Sequence, residues 1–208
     1  MEASFPLLFA AMIGFTHAFE ADHLVAVSSL VTKRNRVFLA IKDGIYWGLG
    51  HTSTIFLIGL LIIVGKATFL NGYFGYFEAG VGMMLILLGI YRLREFYKRR
   101  QKQEDHFDQE HTHHLAYGVG LIHGLAGSGA LILLLMTEMQ SNFNSMLYLL
   151  IFGIGSVLGM LVAAGIFSLP FSQKLSANRH IQLLMIIISA ALCIGYGMFV
   201  MYENLLVH

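Results

Sequence analysis

The chain has 208 residues, of which 57% are hydrophobic and only 12% are charged, and its formal net charge at pH 7 is +1. A mean hydropathy of +0.70 is typical of an integral membrane protein and leaves almost no sequence for a soluble domain. The basic residues lie at the ends of apolar segments, so nothing indicates a nucleic-acid partner. A single cysteine, Cys193, excludes an intramolecular disulfide and a thiolate cluster.

Apolar segments of about 20 residues are needed to cross the hydrocarbon core of a bilayer. The sequence contains six, at 6–30, 44–64, 73–93, 117–136, 146–169 and 181–202. The first lacks the basic start of a signal peptide and carries acidic residues, so we expect it to be retained as a helix. The predicted fold class is all-α, a multi-pass membrane protein with six transmembrane helices in a lipid bilayer.

Basic residues predict the orientation of these spans. Of the 13 Lys and Arg residues, all except Lys66 fall on the side that holds loops 31–43, 94–116 and 170–180 with the adjacent helix ends. Cytoplasmic loops carry the excess of Lys and Arg. We therefore expect a protein of the cytoplasmic (inner) membrane, with these loops in the cytoplasm and both termini outside.

Short similarities indicate an internal repeat. Residues 14–17 (GFTH) align with 120–123 (GLIH), and 47–51 (WGLGH) align with 152–156 (FGIGS), while a third pair at Gly89 and Gly195 is weaker. Three spans per half is an odd number, so the halves would have opposite orientations in the membrane. The predicted organisation is an inverted repeat of residues 1–100 and 116–208, which in transporters places a substrate site near the midplane.

A histidine-rich loop over 101–115 joins the two predicted halves. It contains four histidines with four acidic residues among them. Such tracts can hold metal loosely, and a flexible, solvated connector is an equally good interpretation. The auxiliary candidates in this loop are His106, His111, His113 and His114.

Two imidazoles and two carboxylates interrupt the first span: His17, Glu20, Asp22 and His23. An acidic residue near the middle of a membrane helix costs roughly 2.5 to 3.5 kcal/mol on insertion scales, and a bound divalent cation would offset that cost. At about 100° per residue on a regular helix, Asp22 points away from the other three. Either Asp22 acts by orienting a ligand, or the helix is locally unwound, which the nearby Gly14 would permit.

Further polar residues lie in later spans. His51 precedes Thr52 and Ser53, and His123 precedes Ser128 within an apolar stretch. Imidazole suits nickel, cobalt, zinc and copper, and the mixture with carboxylates disfavours copper(I). The metal-ligand candidates are His17, Glu20, Asp22, His23, His51 and His123. The candidates for lining a pathway are Thr52, Ser53, Ser128 and Glu78, although Glu78 also fits an interfacial position.

Two motifs carry a resemblance to a known family. The run from His17 to His23 resembles the His-x-x-x-x-Asp-His signature of the nickel/cobalt transporter (NiCoT) family, and Leu49-Gly-His-Thr resembles that family's second motif. The resemblance implies a secondary permease for nickel or cobalt ions in which His17, Asp22, His23 and His51 select or pass the metal. It is close over the first two spans and otherwise consists of hydrophobicity and the His-rich loop.

The chain departs from the best-known members of that family. Thr16 replaces an arginine, Glu20 replaces an aspartate, His123-Gly-Leu-Ala-Gly-Ser128 stands where an acidic motif is usual, and six spans replace eight. These features are more similar to the compact, UreH-like branch associated with urease clusters.

The sequence therefore predicts a transporter and not an enzyme, with Ni²⁺ or Co²⁺ as the transported ion, no separate cofactor, and import favoured. Loading needs neutral imidazoles, so transport is expected to fall as the pH drops through the histidine range. The alternatives are a metal exporter, a metal-binding accessory protein for urease maturation, and an intramembrane metalloenzyme, which the lack of a His-Glu-x-x-His pair disfavours. Metalloenzyme maturation proteins and a homo-oligomeric partner are left open.

Overall fold

The computed structural model describes residues 4–32, 36–63, 72–102, 113–126, 141–169 and 179–206, and these ranges contain seven α-helices. The helices are α1 (Ser4–His17), α2 (Ala21–Val31), α3 (Val37–Ile63), α4 (Phe74–Lys102), α5 (His113–Ala126), α6 (Asn142–Ser168) and α7 (Arg179–Leu206). Pro6 lies in the first turn of α1, where a missing backbone N–H costs nothing.

Four of these helices are long and apolar enough to cross a membrane: α3, α6, Phe74–Lys98 of α4 and Leu183–Leu206 of α7. Large hydrophobic side chains remain exposed on their outer faces, including Leu57, Leu87 and Leu158. Contiguous apolar surface of this kind suits contact with lipid. The prediction of an all-α membrane protein is confirmed at this level.

The first predicted span is not one regular helix. The structure ends α1 at His17 and begins α2 at Ala21, with Glu20 in an extended conformation (φ −65°, ψ 156°) between them. The N–H of Glu20 donates to the carbonyl of His17 at 3.0 Å, which closes α1 with a tight turn, and the Leu24 N–H donates to the Glu20 carbonyl at 2.9 Å, which opens α2. The first span is therefore locally unwound between His17 and Ala21, which is one of the two alternatives that the sequence left open.

Each half of that span is too short to cross the hydrocarbon core alone. At 1.5 Å rise per residue, the 14 residues of α1 span about 21 Å and the 11 residues of α2 about 16 Å. The core is about 30 Å thick, so the two halves would be needed together. If the two halves cross the membrane together, as the sequence predicts, the break would lie inside it, where irregular backbone occurs only if it is covered by protein or lines a cavity.

The fourth predicted span is described only in part. Helix α5 ends at Ala126, and the remainder of the span, with Ser128, lies outside the described residues. Helix α4 continues beyond the predicted end of the third span, as far as Lys102. Most of the predicted loop, including His106 and His111, is likewise outside the described residues.

Helix α3 packs between α5 and α6, and close glycine contacts fix the relative directions of the helices. Gly50 lies against Tyr117 and Gly124 against His51, so α3 and α5 are parallel. Gly44 lies against Met160 and Gly59 against Leu149, so α3 and α6 are antiparallel. By the same criterion α1 is parallel to α6 (Ala11 with Gly155, Phe15 with Gly159), and α4 is antiparallel to α7 (Gly82 with Gly197, Gly89 with Ala190).

Several of these glycine contacts have a counterpart under the alignment of the two predicted halves. Replacing both residues of such a contact by the residues aligned with them gives a second contact that the structure also contains. A Cβ at Gly14 would overlap the carbonyl oxygen of Phe152, and a Cβ at the aligned Gly120 would overlap the carbonyl oxygen of Trp47. In the same way, the contact of Gly155 with Ala11 corresponds to that of Gly50 with Tyr117. The contact of Gly48 with Val157 corresponds to that of Gly153 with Thr52. Gly14 therefore serves a close helix contact, and the break occurs a turn later.

Candidate metal centre

Four histidines from four different helices meet beside the break. His17 is the last residue of α1, His23 lies in the first turn of α2, His51 is near the middle of α3, and His123 is in the last turn of α5. Their exposed fractions are 6% for His17 and 0% for the other three. The break permits this convergence, because the C-terminal end of α1 and the N-terminal end of α2 both lie beside the four histidines.

Ring distances define the compactness of this cluster, which we call the histidine cluster (His17, His23, His51 and His123). The ring centroid of His23 is 4.5 Å from that of His17, 5.1 Å from that of His51 and 4.2 Å from that of His123. His51 and His123 are farther apart, at 6.2 Å. His23 is therefore the central ring.

Two carboxylates contact the cluster: Glu20 from within the break and Asp22 from the first turn of α2. Asp22 accepts from the His23 ring at 2.9 Å (Oδ1 to Nδ1) and from the His123 ring at 2.9 Å (Oδ2 to Nε2). Glu20 lies 2.9 Å from Nδ1 of His17, with its side chain 58% exposed against 21% for Asp22. The expectation that Asp22 points away from the histidines assumed a regular helix, and the break removes that assumption.

The remaining ring nitrogens of the cluster are buried and unpaired. Within the described part of the chain, no hydrogen-bond partner is found for Nε2 of His17, Nε2 of His23, Nδ1 of His123, or either ring nitrogen of His51. Each such group in a folded interior costs about 1–3 kcal/mol. Unpaired buried nitrogens on neighbouring imidazole rings are the arrangement expected of a site that binds a cation by exchange for water.

The ligand atoms fall into two overlapping sets. One ligand atom each of His17, His23 and His51 lies within 4.8 Å of the other two, and the same holds for Asp22, His23 and His123. Neutral imidazole is a ligand for nickel, cobalt and zinc, and carboxylate adds negative charge. All the metal-ligand candidates of the sequence except Glu20 thus belong to one of the two sets, and Glu20 contacts His17.

Aromatic side chains surround the histidine cluster. The rings of Trp47 and Phe152 lie 5.6 Å from His23 and 5.5 Å from His17, respectively, and both side chains are fully buried. A dry, apolar wall of this kind strengthens electrostatic interactions with a bound ion. Sequence reasoning used these two residues only as aligned positions of the repeat and did not anticipate their place around the cluster.

The pathway candidates are outside both sets. Thr52 donates to the carbonyl of Gly153 at 3.2 Å, joining α3 to α6, and Ser53 donates to the Leu49 carbonyl of its own helix at 2.7 Å. Glu78 is half-buried in the second turn of α4. Both hydroxyls thus donate to helix carbonyls, and their role as pathway residues stays a prediction.

Sequence reasoning missed a second histidine–carboxylate contact. His113, at the start of α5, lies 2.7 Å from the buried carboxylate of Asp43 and stacks on Tyr46, whereas His114 is exposed. Asp43 gave no signal because it lies in the predicted loop 31–43, where acidic residues are ordinary. The contact ties the end of the His-rich loop to α3.

Comparison with known proteins gives one informative match for this chain. No protein-family profile and no solved structure matches it. A curated relative, "Urease accessory protein UreH" from Bacillus sp. (strain TB-90), is 33% identical over 204 residues, which cover 92% of this chain and 88% of that protein. The aligned region includes nearly the whole of both chains.

Proposed function

Since this chain belongs to the UreH-like, urease-accessory branch of the nickel/cobalt transporter family, we propose that it is a secondary transporter that carries Ni²⁺, or Co²⁺, across the cytoplasmic membrane. Import is favoured, because a metal destined for urease maturation is needed inside the cell. The observation that supports this most is the histidine cluster, whose unpaired ring nitrogens are buried beside a broken helix.

We further propose six spans arranged as two inverted halves, 1–100 and 116–208, joined by a cytoplasmic loop over 101–115, with both termini outside. Six spans that alternate in direction require α3 to be parallel to α5 and antiparallel to α6. They also require α1 to be parallel to α6 and α4 to be antiparallel to α7, and the helices pack in these directions. The exchanged glycine contacts of the two halves support the same arrangement.

In this mechanism the ion loses waters and gains imidazole ligands. His17, His23 and His51 form the set that would receive it, because their ligand atoms lie within 4.8 Å of one another. The Asp22 carboxylate balances the positive charge from the His123 side of the cluster. Glu20 is the more exposed carboxylate and contacts His17, so it would attract the ion before the buried rings bind it.

A second candidate function is a membrane accessory protein that hands nickel to urease maturation proteins without transporting it. The name of the UreH relative favours it. Both functions use the same metal site, and they differ in whether the protein alone moves the ion across a bilayer.

Radiolabelled Ni²⁺ accumulation in cells that express the wild type or His17→Ala tests the proposal. An importer raises accumulation above the empty-vector control, the variant abolishes the gain, and excess cobalt, zinc or manganese ranks the metals by competition. Accumulation below the control that the variant restores would make the protein an exporter. Equal accumulation in all three strains would contradict transport of nickel and leave the accessory function.

A further inference from the structure

Asp22 holds the cluster together through its two carboxylate oxygens. Oδ1 accepts from Nδ1 of His23 at 2.9 Å and from the backbone N–H of His23 at 2.8 Å, and Oδ2 accepts from Nε2 of His123 at 2.9 Å. Oδ1 therefore serves as an acceptor, because a backbone N–H can only donate. An ionised carboxylate has no proton to donate, so each ring nitrogen in contact with it must carry one.

Opposite tautomers of the two rings follow from these contacts. A neutral imidazole has one N–H and one bare nitrogen. His23 is protonated on Nδ1 and bare on Nε2, whereas His123 is protonated on Nε2 and bare on Nδ1. The two bare nitrogens are among those that have no partner in the described part of the chain. The atoms left for a metal are therefore on the sides of the rings away from Asp22.

We infer that Asp22 is a positioning residue and not a ligand of the transported ion. It fixes which nitrogen of His23 and which nitrogen of His123 is free for the metal, and it holds the rings against rotation. The rival arrangement uses the set Asp22, His23 and His123 as direct ligands. Coordination through the ring nitrogens that contact Asp22 would require the proton on each of them to move to the other ring nitrogen, which could then not bind the metal.

Two substitutions separate these roles. The amide of Asp22→Asn keeps the shape of the side chain but offers one acceptor and one donor. The ring that meets the donor must therefore adopt the other tautomer, with its bare nitrogen toward residue 22. That ring then presents an N–H to the metal. Asp22→Glu keeps two acceptor oxygens and restores the original tautomers in part.

The test is ¹⁵N NMR of imidazole-labelled, metal-free protein in detergent, followed by Ni²⁺ titration of the same samples. We expect one Nδ1–H ring and one Nε2–H ring hydrogen-bonded to carboxylate in the wild type, assigned with His23→Gln and His123→Gln. In Asp22→Asn one of these tautomers switches, and Ni²⁺ affinity falls about 10- to 100-fold, as for other supporting partners of metal ligands. Asp22→Glu should recover part of the affinity.

Unchanged tautomers in a folded Asp22→Asn protein would overturn the inference. So would X-ray absorption of the Ni²⁺-loaded wild type that shows a protein carboxylate ligand missing from Asp22→Asn. The inference rests on the proposed function for the identity of the ion, but the tautomers are read without metal. Expected tautomers with no Ni²⁺ binding would therefore refute the proposed function and leave the positioning role of Asp22 standing.

Discussion

Among the proposed metal ligands, His51 is the ring with the fewest hydrogen bonds in the described part of the metal-free protein. Its ring is fully buried, and neither ring nitrogen has a hydrogen-bond partner within the described residues. Leaving buried polar groups unpaired is unfavourable for the metal-free protein. A bound cation would remove that cost, so the ring is explained better by a ligand than by packing.

Replacing His51 by leucine separates these two contributions. We expect His51→Leu to lose at least tenfold in Ni²⁺ affinity, measured by calorimetric titration in detergent, because one imidazole ligand is removed. Thermal unfolding of the metal-free protein should occur at the same temperature or higher, because a buried polar ring of similar volume has become apolar. Ser189→Ala, which changes a buried hydroxyl outside the cluster, is the control and should bind Ni²⁺ as the wild type does. A metal-free His51→Leu protein that unfolds several degrees earlier would indicate a structural role instead.

At the scale of the helices, close packing through glycine positions the cluster. Gly120 lies against the backbone of Trp47, three residues before His123, and thereby sets the distance of α5 from α3. In the same helix, Gly118 has no atom within 4 Å of where a Cβ would stand. The two glycines therefore form a matched pair for testing the contact.

Gly120→Ala should lower stability and Gly118→Ala should not. The new methyl at 120 would overlap backbone, which cannot rotate away, and overpacking of this kind costs about 1–3 kcal/mol. At 118 the methyl is accommodated and the helix gains about 0.5–1 kcal/mol from the loss of glycine flexibility. The midpoint of thermal unfolding in detergent measures both. Equal midpoints for the two variants would show that the helices can separate without cost, which contradicts the close packing.

The break after His17 marks what the sequence could not predict at this scale. Residues 18–20 contain neither glycine nor proline, so no local signal placed the end of α1. Ala18 and Phe19 continue the apolar pattern into the break, and the extended Glu20 is hydrogen-bonded through its backbone to His17 and Leu24. The candidate ligands were predictable, because charged and imidazole groups are rare inside apolar segments. Their geometry was not, since a regular helix would have turned Asp22 away.

At the scale of the whole molecule, short sequence matches predict a repeat, and the glycine contacts agree with that proposal. The two halves differ in their candidate metal ligands. His51 of the first half aligns with Ser156 of the second, whose hydroxyl cannot replace an imidazole. Helical contacts thus follow the repeat, while the histidine cluster takes most of its residues from the first half. Asp43 and His113 were missed as a pair because only the packing of α3 beside α5 brings them together.

Reporter fusions test the orientation of the whole chain. Alkaline phosphatase is active only outside the cytoplasm, and green fluorescent protein fluoresces only inside it. We expect phosphatase activity from a fusion after residue 208 and fluorescence from an insertion within 103–112, because the basic loops should stay in the cytoplasm. The reverse pattern would invert the proposed topology, and phosphatase activity at both sites would contradict the number of spans between them.

Ni²⁺ uptake into liposomes that contain only the purified protein and an enclosed nickel-sensitive dye tests transport through the histidine cluster most directly. We expect dye quenching for the wild type and for Ser189→Ala, and quenching no faster than in protein-free liposomes for His51→Leu. Uptake by His51→Leu at the wild-type rate would contradict transport through the histidine cluster. Wild-type protein that binds Ni²⁺ but leaves the dye unquenched would contradict transport itself and favour the accessory function.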